Sequence, residues 1–598
     1  MGLMQKAVST YDNFASLAGL PIKNHATLTP ISHILQNVQL EIAVHSDGTF
    51  AVASAADEKT VIPATEKSAN RTGDNTEAHP LSDQLRYVAP FGGSKYEAYI
   101  KGLSDWVSSP FRHPKLEAVL KYAKGGSIVE DLENAGLIEL ESNGEPAEKY
   151  RKLMIRWRVL GFGEPTACWE DDELFRLFHE YYQSTFSGES TELCMISGEM
   201  EVPAKFNPKG IVASAYGAKL ISANDSSGFT YRGRFDKPRE AATIGYQATQ
   251  KAHCALQWVS ADQGVIIGGR TFVCWNPKGL QTPNPISPFG KFKDDQTAAT
   301  PADYKSLLFK TVEGIKNELP DNEDVVIAAF DAATTGRLSL TYYSELRALD
   351  FRKRLEKWYE TCVWPFGKFG YQSPSIKQIA TCAFGVQRGE FIDLDDRVLK
   401  ETVQRLLPCV VNAAPIPADI VRALSQRVSM PPEAYSGSNR LKLGYTACAV
   451  IRKYHNDIFQ KEEYSMELDP KKQDRSYQYG RLLAVYEKIE RDTYAADEAR
   501  EPNAIRMQTV FSERPLYAAR VLKERLVPYY EKLNRSNSKA RVFYDKLIGE
   551  IISEIPEENV EHALGDTYIL GYYLQKNALY TSNKEKNDTN DMEDENDG

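Results

Sequence analysis

No stretch of the 598-residue sequence approaches the ~18 consecutive apolar residues of a membrane-spanning helix. The longest run of that kind, Val325 to Phe330, has the length of a strand. Cysteine is scarce and scattered, at positions 168, 194, 254, 274, 362, 382, 409 and 448, with no Cys-x-x-Cys pair. That argues against a disulfide framework and predicts single, reduced, mostly buried thiols. The nine histidines show neither His-Glu-x-x-His nor paired-ligand spacing, so no metal centre is expected. No Gly-x-Ser-x-Gly elbow occurs. Gly92-Gly93-Ser94-Lys95 lacks the spaced first glycine and the Lys-Ser/Thr order of a phosphate cradle. The N-terminus has no charged, apolar and cleavage regions in sequence, and Lys6 stands where a myristoylation motif wants Ser or Thr. The expectation is a cytoplasmic protein with no membrane contact, no metal and no cofactor.

The composition itself is ordinary for a globular chain, with 42% hydrophobic and 26% charged residues. A chain this long forms roughly two to four domains. The net charge of −10 argues against a protein that coats nucleic acid by charge alone. The charge is unevenly spread, however. Lys584–Gly598 carries seven acids against two lysines and reads as a disordered acidic tail. Between Arg506 and Lys546, ten basic residues meet four acidic ones, a net of +6.

Periodicity gives an α+β reading. Leu3–Leu20 reads as a short amphipathic helix, and Val38–Val44 with Thr49–Val52 as a β-hairpin around His45-Ser46-Asp47-Gly48. Pro63–Lys95 has little periodicity and reads as loop, and Lys95–Glu180 as helical. Between Cys194 and Pro277 strands are expected at Ala218–Ser222, Phe229–Phe235 and Arg270–Trp275, with a helix over Glu240–Val259. A strand pair follows at Val325–Phe330 and Arg337–Tyr343, after which the chain looks almost wholly helical. Apolar spacing at Leu482, Val485, Tyr486, Ile489, at Leu522, Leu526, Tyr529, Leu533, and at Phe543, Leu547, Ile548, Ile551, joined by Leu564–Tyr580, predicts a four-helix bundle. The expected organisation is a mixed α+β region with antiparallel strands over 1–350, a helical connection over 351–465, the bundle over 466–583 and the tail over 584–598.

The best carboxylate cluster is Asp393, Asp395 and Asp396. Metal-assisted phosphodiester cleavage needs such grouped carboxylates. Yet the cluster directly precedes a helical stretch, where aspartates cap the first amides. Capping is the preferred reading, and no enzymatic activity is expected.

Three segments suit nucleic acid. The basic residues of the bundle, Arg520, Lys523, Lys532, Arg535 and Lys539 among them, leave the apolar stripe and are able to neutralise phosphates. The simpler reading is a solvated helix face. Arg232 and Arg234, interleaved with Tyr231 and Phe235 and followed by Lys237, suit base stacking and a grip on the backbone. An amphipathic strand would look the same. Asn70, Arg71, Thr72 and later Lys95 lie in a Gly-rich loop region whose polar groups suit base edges.

The order of segments resembles the large subunit of the type I-C CRISPR surveillance complex (Cascade). The resemblance is carried by Gly217-Ala218-Lys219-Leu220-Ile221-Ser222-Ala223-Asn224-Asp225, by Ala332–Ser339 and by Pro374–Pro417. It continues in Tyr479–Ile489, Lys546–Ile551 and Leu570–Lys576, and is loose over Asn70–Pro90. It implies a non-catalytic subunit that recognises the protospacer-adjacent motif in double-stranded target DNA. Such a subunit promotes R-loop formation, stabilises the displaced single strand and helps recruit a separate helicase-nuclease. Its implied partners are CRISPR RNA, the backbone and crRNA-processing subunits, and a small subunit made from the C-terminal part of the same gene. On that reading Asn70, Arg71, Thr72 and Lys95 meet the motif, Arg232, Arg234 and Lys237 the nucleic-acid backbone, and Arg520, Lys523, Lys532, Arg535 and Lys539 the displaced strand. Met466 is the expected internal translation start, after Lys461-Glu462-Glu463, whose codons can spell a purine-rich ribosome-binding sequence; Met430 and Met507 are the other candidates. The alternatives are a generic RNA- or DNA-binding scaffold and a metal-dependent nuclease using Asp393, Asp395 and Asp396.

Overall fold

The computed structural model describes residues 2–222, 233–286, 298–495, 498, 500–556 and 561–580. The chain forms two compact units, one made of Met1–Leu280 with Asp324–Glu345, the other of Gln281–Glu323 with Leu346–Gly598.

The first unit runs α1 (Leu3–Phe14), β1 (His33–His45), β2 (Phe50–Pro63), α2 (Glu66–Asn70), α3 (Ser94–Val107), α4 (Pro114–Gly125), β3 (Ile155–Leu160) and α5 (Asp172–Ser184). It continues through α6 (Tyr246–Gln263), β4 (Val265–Ile267), β5 (Arg270–Trp275), β6 (Asp324–Thr334) and β7 (Arg337–Arg347). The expected hairpin is present and longer than its alternating core. β1 pairs antiparallel with β2 across a turn in which Asp47 Oδ1 accepts from Thr49 N at 2.9 Å and Gly48 takes φ +83°. On its other side β1 pairs parallel with β3. Val38, Leu40, Ile42 and Val44 turn to the buried face, as period-two geometry requires. Leu40, Ile42 and Val44 pack with Ile155, Trp157 and Val159 of β3 and with Leu103, Trp106, Val119 and Phe178 of the helices, while Val38 packs with Ile62 and Met154.

β3 corrects the helical reading of Lys95–Glu180. Its alternation of Ile155, Trp157 and Val159 with Arg156 and Arg158 is a strand pattern only six residues long, enclosed by helical sequence. Pro63–Lys95 also departs from a plain loop, since it contains α2 and a helical turn at Leu85–Val88.

The second sheet has the order β4-β5-β6-β7. All six residues of β5 are buried. α1 and α6 cover it, with Leu3, Ala7, Tyr11, Ala252, Leu256 and Val259 against Val273, Trp275, Val326 and Phe330. Buried Lys6 pins α1 through Asp324 at 2.5 Å and Glu345 at 2.9 Å. The strand expected at Ala218–Ser222 reduces to one parallel bridge, Lys219 to Arg337. Of the strand expected at Phe229–Phe235, residues 229–232 lie outside the described residues. Gly233 and Arg234 form a turn, with Gly233 at φ +62°, a conformation that breaks a strand. All eight cysteines are free and buried, as their spacing predicts. No helix among the described residues is long and apolar enough to cross a membrane.

The second unit is mostly helical, with α7 (Pro301–Glu318), α8 (Ala348–Thr361), α9 (Ile376–Phe384), α10 (Asp396–Val411), α11 (Ala418–Val428) and α12 (Gly437–Phe459). Two small hairpins, Trp364–Gln372 and Val386–Asp393, interrupt the helices. The expected bundle follows as α13 (Arg475–Arg491), α14 (Pro515–Ser536), α15 (Ser538–Ser553) and α16 (568–580), with two short helices between α13 and α14. Every residue of α13 from Tyr477 to Glu490 is buried, so the expected stripe is in fact a whole circumference. α15 departs the other way. Tyr544 and Ile551 are its buried side chains, while Phe543 is 51% exposed. The rotation is fixed by Tyr544, whose hydroxyl bonds Asp492 just beyond α13.

Two glycines set the approach of α13 and α16. A Cβ at Gly480 would lie 1.9 Å from the Tyr568 carbonyl oxygen, and one at Gly571 2.0 Å from that of Tyr477. Only glycine permits that spacing. Gly480→Ala is expected to cost about 3 kcal/mol or more through overpacking against rigid backbone. Gly549→Ala, whose Cβ meets open space within α15, is expected to be neutral or to stabilise by about 0.5–1 kcal/mol. Thermal unfolding of the two variants checks the contrast.

Candidate nucleic-acid interface

The polar loop between α2 and α3 is built around Asp83, which is fully buried. Its carboxylate receives both arms of the Arg71 guanidinium, Nη1 at 2.7 Å, and the backbone amides of His79 and Gln84 at 2.7 Å each. Arg71 also donates to the Glu77 carbonyl at 2.9 Å and lies 4.3 Å above the Tyr87 ring. A buried carboxylate with four donors is fully compensated, and it closes the 71–83 segment into a fixed loop. His79 lies inside it with its Nδ1 2.9 Å from Ser68 Oγ, and burial lowers its pKa to about 4, which keeps the imidazole neutral.

The loop therefore distributes the expected motif residues unequally. Arg71 is spent on holding the loop. Asn70 donates from Nδ2 to the Glu66 carbonyl at 2.8 Å, and its Oδ1 is buried without a partner. Asn70 also borders a cleft of about 730 Å³ shared with Lys209, Tyr216 and Trp258. Thr72 is exposed at the tip beside Gly73. Lys95, in the first turn of α3, reaches across to Asp74 at 2.7 Å. Arg86 approaches the same carboxylate at 3.7 Å. Sequence reading missed Asp83, Asp74 and Arg86. Their pairing depends on the loop's closure, and Gly92-Gly93 was the sole local signal of a tight approach.

In the second segment, Arg232 lies outside the described residues. Arg234 and Lys237 are exposed, and the Arg234 guanidinium lies 5.2 Å from the Phe235 ring centre.

The five basic residues expected on the displaced strand fall on the exposed side of α14 and the start of α15. Ala518, Leu522, Leu526 and Leu533 of α14 are buried, and Arg520, Lys523, Lys532, Arg535 and Lys539 are exposed. Two have internal duties. Arg520 is 3.9 Å from Glu524, and the Lys532 ammonium donates to the Thr493 carbonyl. Lys523, Arg535 and Lys539 remain directed to solvent.

The Asp393–Asp396 cluster takes the capping role. Asp395 Oδ1 accepts from Arg397 N at 2.9 Å and Val398 N at 3.4 Å, Asp393 pairs with Arg388 at 3.1 Å, and Asp396 sits in the first turn of α10. Among the described residues no group of three or more His, Cys, Asp or Glu is placed to hold a metal ion.

Fold and sites together define a class: a two-unit α+β chain with a helical C-terminal half, whose candidate sites are a polar loop in the first unit and a set of exposed cations in the second. A family model described as CRISPR-associated protein (Cas_Csd1) matches residues 9–580. The chain belongs to this family, the large subunit of the type I-C CRISPR surveillance complex. The family is a structural subunit of that complex, and membership implies an effector assembly with CRISPR RNA and other CRISPR-associated subunits. The comparison with curated proteins returns no match.

Asp83 gives the loop its test. Asp83→Asn leaves Arg71 without its counter-charge, and breaking such a buried pair is expected to cost about 3 kcal/mol or more. Because the Arg71–Asp83 pair closes the loop, limited proteolysis of this variant is expected to cut within residues 72–78. An unchanged cleavage pattern would show that the pair does not hold the loop.

Proposed function

We propose that this chain recognises the protospacer-adjacent motif in duplex DNA through the region from Asn70 to Lys95 and there begins strand separation. The displaced strand then follows the cations of α14 and α15, and a surface of the subunit receives a separate helicase-nuclease. One observation carries the reading. A polar loop fixed from beneath by Asp83 holds Thr72 at its exposed tip and sets Lys95 and Arg86 beside it. A preformed loop suits the reading of a short motif, since little ordering entropy is lost on contact. Base pairing with the guide supplies the remaining sequence recognition, the division of labour known from another CRISPR effector. Arg234 and Lys237 are assigned to nucleic-acid backbone, as is Arg232.

Because Arg71 is bound to Asp83, its role in this reading is to position Asn70 and Thr72. Among the cations of the displaced-strand path, Lys523, Arg535 and Lys539 carry the reading, being exposed and free of the internal bonds that occupy Arg520 and Lys532.

Met466 is proposed as the start of a second translation product. It follows a segment tied down by α12, where Asn456 bonds the backbone of Tyr464 at 2.8 and 3.0 Å and Arg452 donates to the Tyr464 carbonyl at 3.0 Å. A product beginning there keeps α13–α16 together and leaves α12 behind. A start at Met430 would retain α12 and its contact with α16. Intact mass measurement of the assembled complex distinguishes them: a fragment beginning at Met466 is expected, a fragment beginning at Met430 would move the start, and no fragment would remove the proposal.

The complete complex is expected to bind a matched target more tightly when the adjacent motif is present. Equal binding with and without the motif would favour a generic scaffold. Replacing Lys523, Arg535 and Lys539 by alanine is expected to weaken target binding and to flatten its salt dependence by about 2 in the log–log slope, at ~0.7 per single-strand phosphate contact. An unchanged slope would take the displaced strand off this surface.

A further inference from the structure

The Gly92-Gly93-Ser94-Lys95 run fails as a nucleotide-binding motif, yet its glycines do specific work. A Cβ at Gly92 would lie 1.8 Å from the Arg86 carbonyl oxygen, so only glycine lets the chain cross Arg86 here. Gly93 follows with φ +57° and is the N-cap of α3. It offers no side-chain acceptor, so the first amides of this 14-residue helix lack a side-chain cap. The crossing brings Lys95 and Arg86 to one point. Both cations are set into the surface, with side chains 15% and 21% exposed. Arg86 is further anchored by Nε on Gln84 Oε1 at 2.8 Å and by the Tyr87 ring 5.6 Å away.

The anion that meets them is differently placed. Asp74 is 79% exposed, on the loop tip next to Gly73, which has φ +65° and open space around it. Lys152 adds to the positive field at this carboxylate. Anchored cations, an uncapped helix start and a carboxylate on a free tip describe an anion site with a removable occupant.

We propose that Lys95, Arg86 and the first turn of α3 bind a backbone phosphate of duplex DNA, and that Asp74 occupies this site in the free chain as a stand-in for that phosphate. A carboxylate and a phosphodiester each present one negative charge and two acceptor oxygens, so the exchange preserves the local balance. Duplex without the motif must displace Asp74 by a phosphate contact alone. Duplex with the motif gains further contacts from the same loop. Asp74 thereby lowers the affinity of every duplex by the same factor, so that the motif contacts decide which duplex is held at working concentrations. The inference rests on the reading of the 70–95 region as the DNA-facing surface.

The test uses the full chain in the complete complex, with Asp74→Asn and Lys95→Ala compared on duplexes with and without the motif. Asp74→Asn is expected to tighten binding to motif-free duplex by roughly 3- to 10-fold and to steepen its salt dependence by about one phosphate contact. The motif-bearing duplex is expected to tighten by a similar factor. Lys95→Ala is expected to weaken binding to both. If Asp74→Asn leaves motif-free binding and its salt slope unchanged, or weakens binding, while Lys95→Ala still weakens it, the stand-in role is overturned and the DNA-facing surface stands. If neither variant alters binding, both fall.

Discussion

The helical unit depends on one constraint: α13 has no solvent face. Enclosing a helix from Tyr477 to Glu490 requires neighbours on every side, and the charged residues within that span must be compensated where they stand. Glu487 is the clearest case. Burial works to raise its pKa, but Lys576, the Tyr572 hydroxyl and Arg491 outweigh burial and hold it below the usual carboxylate range. Arg481 is met by Gln575 at 2.9 Å and by the Pro470 carbonyl at 2.7 Å. Three of these partners, Tyr572, Gln575 and Lys576, belong to α16. Glycine spacing and charge compensation thus converge on one helix pair, and α16 is tied in turn to α12, where Cβ-free Gly444 faces the Tyr573 ring.

The first unit solves a different problem. Its two larger sheets are closed by helices, the first with apolar residues alternating inward and the second with all of β5 and Val325–Phe330 of β6 buried. What distinguishes it is the polar loop between α2 and α3, where the organising group is again a buried carboxylate. Asp83 and Glu487 play parallel roles, each gathering donors from several turns of chain. In the first unit the result is an exposed loop held in one shape, and in the second a closed core.

The legible parts of the fold were those governed by local pattern. The β1–β2 hairpin followed from alternation and the Asp47-Gly48 turn, and α14 from Leu522, Leu526 and Leu533. The cap at Asp395 followed from its place before α10. What failed depended on distant partners. β3 is defined by its parallel pairing with β1, more than a hundred residues away in sequence. Lys219 was expected within a strand and makes a single bridge to Arg337. For the candidate site, sequence marks polar residues and not their arrangement. Arg71, Thr72 and Lys95 border one polar loop, and no sequence rule says that Arg71 faces inward to Asp83 or that Lys95 meets Asp74. Composition marks a charged side chain as available. Only the fold decides whether it is already engaged.

The place of α16 in the chain bears on synthesis. It is the last described element, ending at residue 580, and it completes the compensation of Glu487 and Arg481 on α13. During translation α12 and α13 leave the ribosome first, with their glycine-lined surfaces uncovered and their buried charges unanswered. The helical half therefore closes only when α16 has emerged, and a nascent chain stalled before residue 568 lacks the one helix that answers Glu487 and Arg481.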